Sequence, residues 1–385
     1  AANNTAVGSS SLACNTTGAS NVAVGAEALD ANTTGAENTA VGRFALTSNT
    51  EGDENTAVGR YSLGTNTTGE NNTALGHSTV ENNTTGDFNV GIGHGALQAN
   101  TTADNNTAVG YQSLDANTEG HSNVAVGKGS LSANTSADEN TAVGFNALAD
   151  NTTGHSNVAV GACALITNTT SRDNVGLGFC ALHANTTGSR NAASGSLALD
   201  SNTTACDNTA TGYKALYANT TGAANTAIGN LAGSNVTTGG NNLLLGLDAG
   251  RSGTPSGEIT TQSNRISLGN NSITNAYIRV DWTVTSDLRD KMNIEPISHG
   301  LDFVNQLNPI KFNFKKSREN ATSHGRKKYG FKAQDILALE GEDNVIIDNE
   351  DPNSLKYIGS HLVPVLVNAI KELKARIEVL ENEWS

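Results

Sequence analysis

The chain has 385 residues, enough for more than one domain, with 41 Gly, 5 Pro and 4% aromatic residues. That is poor material for a large globular core and suits a repetitive fold with a thin one. A formal net charge of -14 without a basic run argues against nucleic-acid binding. No stretch approaches about 18 consecutive apolar residues, so no membrane insertion by a spanning helix is expected. No secretory leader is visible, and the chain begins at Ala1, as expected of a fragment or a processed product. Cys14, Cys163, Cys180 and Cys206 form no CxxC pair and are expected to be small buried thiols filling core positions. No metal site and no other cofactor is expected.

The first 246 residues are one repeat. N-[TV]-A-V-G or a close variant begins at Asn4 and recurs every 17 residues to Asn242, with the consensus N-T-A-V-G-x-x-A-L-x-x-N-T-T-G-x-x. The run T-A-V predicts a short strand ended by Gly at position five. Leu at position nine marks a second short segment, and N-T-T-G predicts a reversal in which Gly supplies positive φ. Two short segments and two turns cannot bury a core alone, but stacked turns can. Val at position four and Leu at position nine are expected to form two internal ladders, and Asn at positions one and twelve to stack as hydrogen-bonding ladders. At about 4.8 Å per turn, the repeats make a rod of roughly 70 Å.

Strand alternation puts positions two and four on one face and position three on the other. The small residue at position three then suggests a second packed face, with another copy of the chain against it. The expected shaft is a homo-oligomer, with a trimer favoured. The motif resembles the head repeats of trimeric autotransporter adhesins, which implies a parallel β-roll; the 17-residue period is longer than is usual there.

Other readings of the repeat are weaker. The N-x-T triplets match a glycosylation sequon, but Asn in every turn is better explained as a ladder. The Thr16-Thr17 and Thr33-Thr34 pairs are adjacent, so their side chains diverge and do not make a flat T-x-T ice-binding face. Calcium-type G-G-x-G-x-D repeats are absent. Cys163 and Cys180 share position seven of successive turns, a stacking contact with poor disulfide geometry.

Beyond Asn242 the pattern loosens. Residues 253–257 form a loop, Arg265-Ile266-Ser267-Leu268-Gly269 echoes the repeat, and residues 276–282 alternate as a strand. Residues 247–285 are expected to be a distal tip. Tyr277, Arg279 and Trp282 are candidates there for touching a surface or for packing between subunits.

From residue 286 the composition is that of a small α+β domain, running to 385. Ile310–Phe314 is strand-like, and residues 329–336 predict a strand running into a helix. From His361 the pattern is helical: Val363, Ile370 and Ile377 share one heptad position, and Leu366, Leu373 and Leu380 the other. This is either a trimerising coiled-coil seam or one amphipathic helix lying on its own domain.

Ser286-Asp287-Leu288-Arg289-Asp290-Lys291 with Asn293-Ile294 resembles the S-D-x-R-x-K-x-N-I opening of the intramolecular chaperone domain of phage endosialidases and tail fibres. That domain also occurs in a membrane-anchored myelin transcription factor. Gly330 to Asp335 resembles the family's G-[FL]-x-A-Q-[DE], and Tyr357 to Leu373 its Y-x-x-L-x-P-x-L-x-x-A-I-x-E-L helix, with departures at Lys332 and residues 358–360. The resemblance implies a trimeric domain that registers three chains, lets the fibre fold and then cuts itself off. It implies Ser286 as nucleophile, Lys291 as general base, and Asp287 and Arg289 as supporting residues. The bond attacked would be Thr285–Ser286. A lysine can take the serine proton if burial lowers its own affinity for protons.

The expected whole is a mainly β protein: a parallel β-solenoid shaft (1–246), a tip (247–285) and an α+β chaperone (286–385). The expected function is that of a virion tail fibre or spike attaching to a host cell-surface receptor, with glycans among the candidates. The enzyme activity expected is autoproteolysis alone. The alternatives are a bacterial trimeric surface adhesin with the same chaperone, or an uncleaved trimerisation cap. A carbohydrate-degrading spike would need paired carboxylates in a broad groove, which narrow repeats do not supply.

Overall fold

The computed structural model describes all residues except 1, 253, 255, 274–276, 278, 280–285, 316–321, 342–344, 351, 353–354 and 385. Of the expected tip strand at 276–282 only Tyr277 and Arg279 are described; the rest, with Trp282, lies outside the described residues. The chain divides into two compact units, Ala1–Asn270 and Asn271–Ser385.

The first unit is a parallel β-solenoid. Sixteen three-residue strands, from β1 (Thr5–Val7) through β15 (Leu243–Leu245) to β16 (Ile266–Leu268), pair in sequence order in one sheet. The register is an unbroken 17-residue step, as in Thr39↔Thr56 and Ala40↔Ala57. The last pairing, Leu243↔Ile266, spans 23 residues, so an insertion is absorbed between β15 and β16. The sheet thus runs past the last regular repeat at 246.

The Asn ladders form as expected. The Oδ1 of Asn21 accepts from the backbone N–H of Asn38 at 2.9 Å, and the Nδ2 of Asn21 donates to the Gly35 carbonyl at 2.8 Å. At position twelve, the Nδ2 of Asn32 donates to the Oδ1 of Asn15 and to the same Gly35 carbonyl, both at 2.9 Å. Asn21, Asn32 and Asn38 are fully buried. A buried polar group left unbonded costs about 1–3 kcal/mol, so the turns stay in register by satisfying each other.

Two expectations about the repeat are corrected. The interior ladder is Ala at position three, as in Ala125, Ala142 and Ala159, together with Ala147 and Leu148 of positions eight and nine, all fully buried. Position four faces outward: Val24, Leu75, Ile92 and Val160 are 36–39% exposed. Opposite Leu the tube is too narrow for Val at position three, which holds Ala or Gly in every regular turn; the larger Leu244 fits there only where position nine is glycine, at Gly233 and Gly250. The small side chain at position three is therefore a core filler, and it no longer argues for a packed outer face. The second correction concerns the turns. The N-T-T-G glycine is not at positive φ. The left-handed positions are seven, nine and seventeen, as in Glu27 (φ 58), Leu29 (φ 51) and Glu37 (φ 59). Glycine is required at position five instead. There Gly144 has φ +141, and an added Cβ would lie 2.5 Å from the Gly161 carbonyl oxygen.

The second unit is a small α+β domain. Helix α1 (Leu301–Gln306) precedes the antiparallel pair β17 (Ile310–Lys315) and β18 (Ser323–Gly330). Helix α2 (Ala333–Glu340), the short pair β19 (Ile347–Asp348) and β20 (Lys356–Tyr357), and helix α3 (Gly359–Glu383) follow. Phe303, Ile336, Ile346, Ile347, Leu362 and Val365 form its core. Glu340 is buried, and its carboxylate accepts from the backbone N–H groups of Val345 at 2.9 Å and Ile347 at 3.1 Å. Glu372 of α3 accepts from the backbone N–H of Leu301 at 2.7 Å, tying α3 to the start of α1.

Candidate functional site

Residues 286–291 close into one tight turn. Asp287 caps a 3₁₀ turn, Leu288–Asp290, and its carboxylate accepts from the backbone N–H of Arg289 at 2.9 Å. The Arg289 guanidinium also donates to both oxygens of Asp287. That pairing, side chain first and backbone second, holds the Asp287 carboxyl below the usual carboxylate range. The turn ends with the Lys291 N–H donating to the Leu288 carbonyl at 3.1 Å. Its consequence is a contact between residues five apart: the Lys291 Nζ donates to the Ser286 Oγ at 2.8 Å.

A nucleophile and a base need that reach. Asp287 and Arg289 bond each other and so make the turn; neither contacts Ser286 or Lys291 among the bonds just described. All four residues are exposed in the single chain. Thr285, the other side of the expected scissile bond, lies outside the described residues.

The remaining motifs meet within the same unit. Phe331, in the segment joining β18 to α2, packs against Tyr357 at the entry to α3, with ring centroids 5.8 Å apart. On α3, Leu362, Val365 and Ala369 face the domain core. The six heptad residues lie elsewhere on the helix. Val363, Ile370, Ile377 and Leu380 are 45–66% exposed, and Leu366 and Leu373 are also exposed. The helix thus carries two apolar stripes, one used by its own domain and one open.

At the tip, Tyr277 is 92% exposed and Arg279 is exposed. The four cysteines are free thiols but do not fill the core as expected: Cys14 is exposed and the other three are half-buried, because positions seven, eleven and sixteen lie on the outside of the turn. Partial burial followed by the nearby Cys163 pushes the Cys180 thiol up. No helix among the described residues is long and apolar enough to cross a membrane.

The sequence reading passed over the corner residues of the solenoid. At position six, Arg43 and Arg60 lie over the rings of Phe44 and Tyr61 at 4.4 and 4.6 Å. His77 and His94 stack at 5.0 Å, and His94 stacks on Tyr111 at 5.5 Å. The signal was present in the sequence as a column at 17-residue spacing.

With this geometry in place, comparison with known families is specific. Residues 286–346 match the family model described as chaperone of endosialidase. The match begins at Ser286, the first residue of the turn described above. The C-terminal unit is therefore a fibre-folding, self-cleaving chaperone domain behind a β-solenoid, an arrangement consistent with an endosialidase-type tail fibre. No curated protein matches the chain.

Proposed function

We propose that this chain belongs to a phage tail fibre or tail spike. Its solenoid is a homotrimeric shaft that attaches the virion to a host cell-surface receptor. Its C-terminal domain trimerises, sets the fibre in register and then cuts the Thr285–Ser286 bond. The observation that carries the chemistry is the 2.8 Å contact between Lys291 Nζ and Ser286 Oγ at the first residue of the family match.

In the proposed reaction the Lys291 amine takes the Ser286 hydroxyl proton. The Oγ attacks the Thr285 carbonyl carbon. The C–N bond breaks, and the Ser286 nitrogen leaves as an amine carrying the proton that Lys291 returns. Water then hydrolyses the Thr285 ester, freeing the Thr285 carboxylate and restoring the Ser286 hydroxyl. Lysine works as such a base when burial disfavours its charged form. The dyad is exposed in one chain, so the packing that buries it has to come from neighbouring copies. The open stripe of Val363, Leu366, Ile370, Leu373, Ile377 and Leu380 supports that assembly.

The chaperone role is tested by expressing residues 1–285 beside the full chain and comparing both by sedimentation and far-UV circular dichroism. The proposal expects a folded trimeric shaft only from the full chain. Equal assembly of the truncated chain would remove the need for the domain.

A further inference from the structure

We infer that positions six and sixteen of the solenoid form a heterologous contact between parallel copies of this chain, turn against the same turn. This rests on the reading above that the shaft is multi-chain, and it specifies how the copies meet.

The sequence pairs the two positions turn by turn. Arg43 is followed ten residues later by Asp53, Arg60 by Glu70, His77 by Asp87, His94 by Asp104, and Lys128 by Asp138. These five are the only acids at position sixteen in the regular repeats, and they fall in the five turns with a basic or imidazole group at position six. Where position six is Ala26 or Ser196, position sixteen is Ala36 or Cys206. One turn, Ala162 with Arg172, departs from the pattern.

Within one chain the two columns do not meet. Position sixteen leads into a strand and position six leaves one, so they sit at opposite edges of the sheet's outer face. Among the described residues no ion pair joins a position-six cation to a position-sixteen acid, and Asp53, Asp87 and Asp138 instead accept from the backbone N–H of Ala36, Glu70 and His121 in the preceding turn. The ion pairs among the described residues agree: His121 reaches Asp104 at 3.9 Å, and Arg190 reaches Asp207 at 2.7 Å, both along an edge. Arg43 and Arg60 instead lie over their neighbouring rings.

A partner that matches the columns must present position sixteen to position six at equal height. A second copy rotated about an axis parallel to the shaft does this, because rotation leaves every turn at its own height. The contact is head-to-tail around that axis and closes into a ring. Between the two edges lies the outer face of the strands, with the half-exposed side chains of Val24, Leu75, Ile92 and Val160. The aligned register is the better match. A slip of one turn would set Arg43 against Ala36 and Lys128 against His121, while Arg60, His77 and His94 would still meet Asp53, Glu70 and Asp87, so five pairs fall to three.

The test uses the full chain with its four cysteines replaced by Ser. Arg60→Cys/Glu70→Cys is treated with a short bismaleimide, beside the slipped pair Arg60→Cys/Asp53→Cys. The expected result is inter-chain bands ending in one closed oligomer for the first pair and several-fold less for the second. Separately, Arg43→Glu/Arg60→Glu should sediment as smaller species, and adding Asp53→Arg/Glu70→Arg should restore the assembly. An oligomer in which the slipped pair reacts better, or neither pair reacts, overturns this contact and leaves the fibre reading standing. A monomeric chain overturns both.

Discussion

Replacing Gly144 by Ala tests the solenoid geometry most sharply. Its φ of +141 lies where side-chain-bearing residues are rarely found, and forcing such a conformation costs about 1–3 kcal/mol. The new Cβ would also stand 2.5 Å from the carbonyl oxygen of Gly161, which is backbone and cannot swing aside. Relief requires the turns to part, at the expense of the 2.8 Å bond from the Gly161 N–H to the Val143 carbonyl, worth about 1 kcal/mol. The expected loss is about 2–4 kcal/mol. Gly154→Ala is the comparison. Gly154 would also bring a new Cβ against backbone, 2.2 Å from the Ser171 carbonyl oxygen, but it lacks positive φ, and the same repeat position carries Ala in three other turns, Ala103, Ala137 and Ala205, where the turns accommodate the methyl group. It should cost less than Gly144→Ala, because only at Gly144 must the new side chain also take a positive φ. Urea unfolding of the full chain, followed by far-UV circular dichroism, reads both. Equal losses, or a larger loss at Gly154, would refute the assignment of position five as the obligate glycine.

Further outcomes follow from burial and charge. Leu131→Ala removes a fully buried side chain and should destabilise the shaft by about 3–5 kcal/mol in the same unfolding assay. Ala142→Val overfills the sealed interior and should cost about 1–3 kcal/mol. Asp115 is raised above the usual carboxylate range, chiefly by burial, and its Oδ1 has no hydrogen-bond partner. A carboxyl raised in the folded state favours folding when protonated and opposes it when ionised. Asp115→Asn should therefore raise the melting temperature at pH 7, with the gain disappearing below the unfolded carboxyl range near pH 4. Ile370→Asp places a charge on the open stripe of α3 and should abolish assembly in sedimentation while leaving the helical signal of the domain in place.

Much of this was legible in the primary structure because each turn must repeat what its neighbours need. A 17-residue period without insertion dictated stacked turns, and buried Asn at two fixed positions dictated ladders. Which face of T-A-V points inward was not legible. Alternation separates two faces but does not say which is interior, and the narrow tube decided for Ala over Val. The turn chemistry was obscured for a related reason. Leu29 and its equivalents accept a left-handed backbone because their side chains are buried there, whereas sequence rules assign such positions to Gly. At the site, the spacing S-D-x-R-x-K carried both residue types, and the Asp287-capped turn explains how five residues bring Ser286 to Lys291. The two stripes of α3 were half visible: the heptad named the open one, while the stripe of Leu362, Val365 and Ala369 depends on tertiary packing.

The most direct test of the account is the intact mass of freshly expressed protein under denaturing conditions, beside Ser286→Ala and Lys291→Ala. The account predicts wild-type fragments ending at Thr285 and beginning at Ser286, and full-length chains from both variants. A full-length wild type in a folded trimer, or cleavage that survives in either variant, would contradict it.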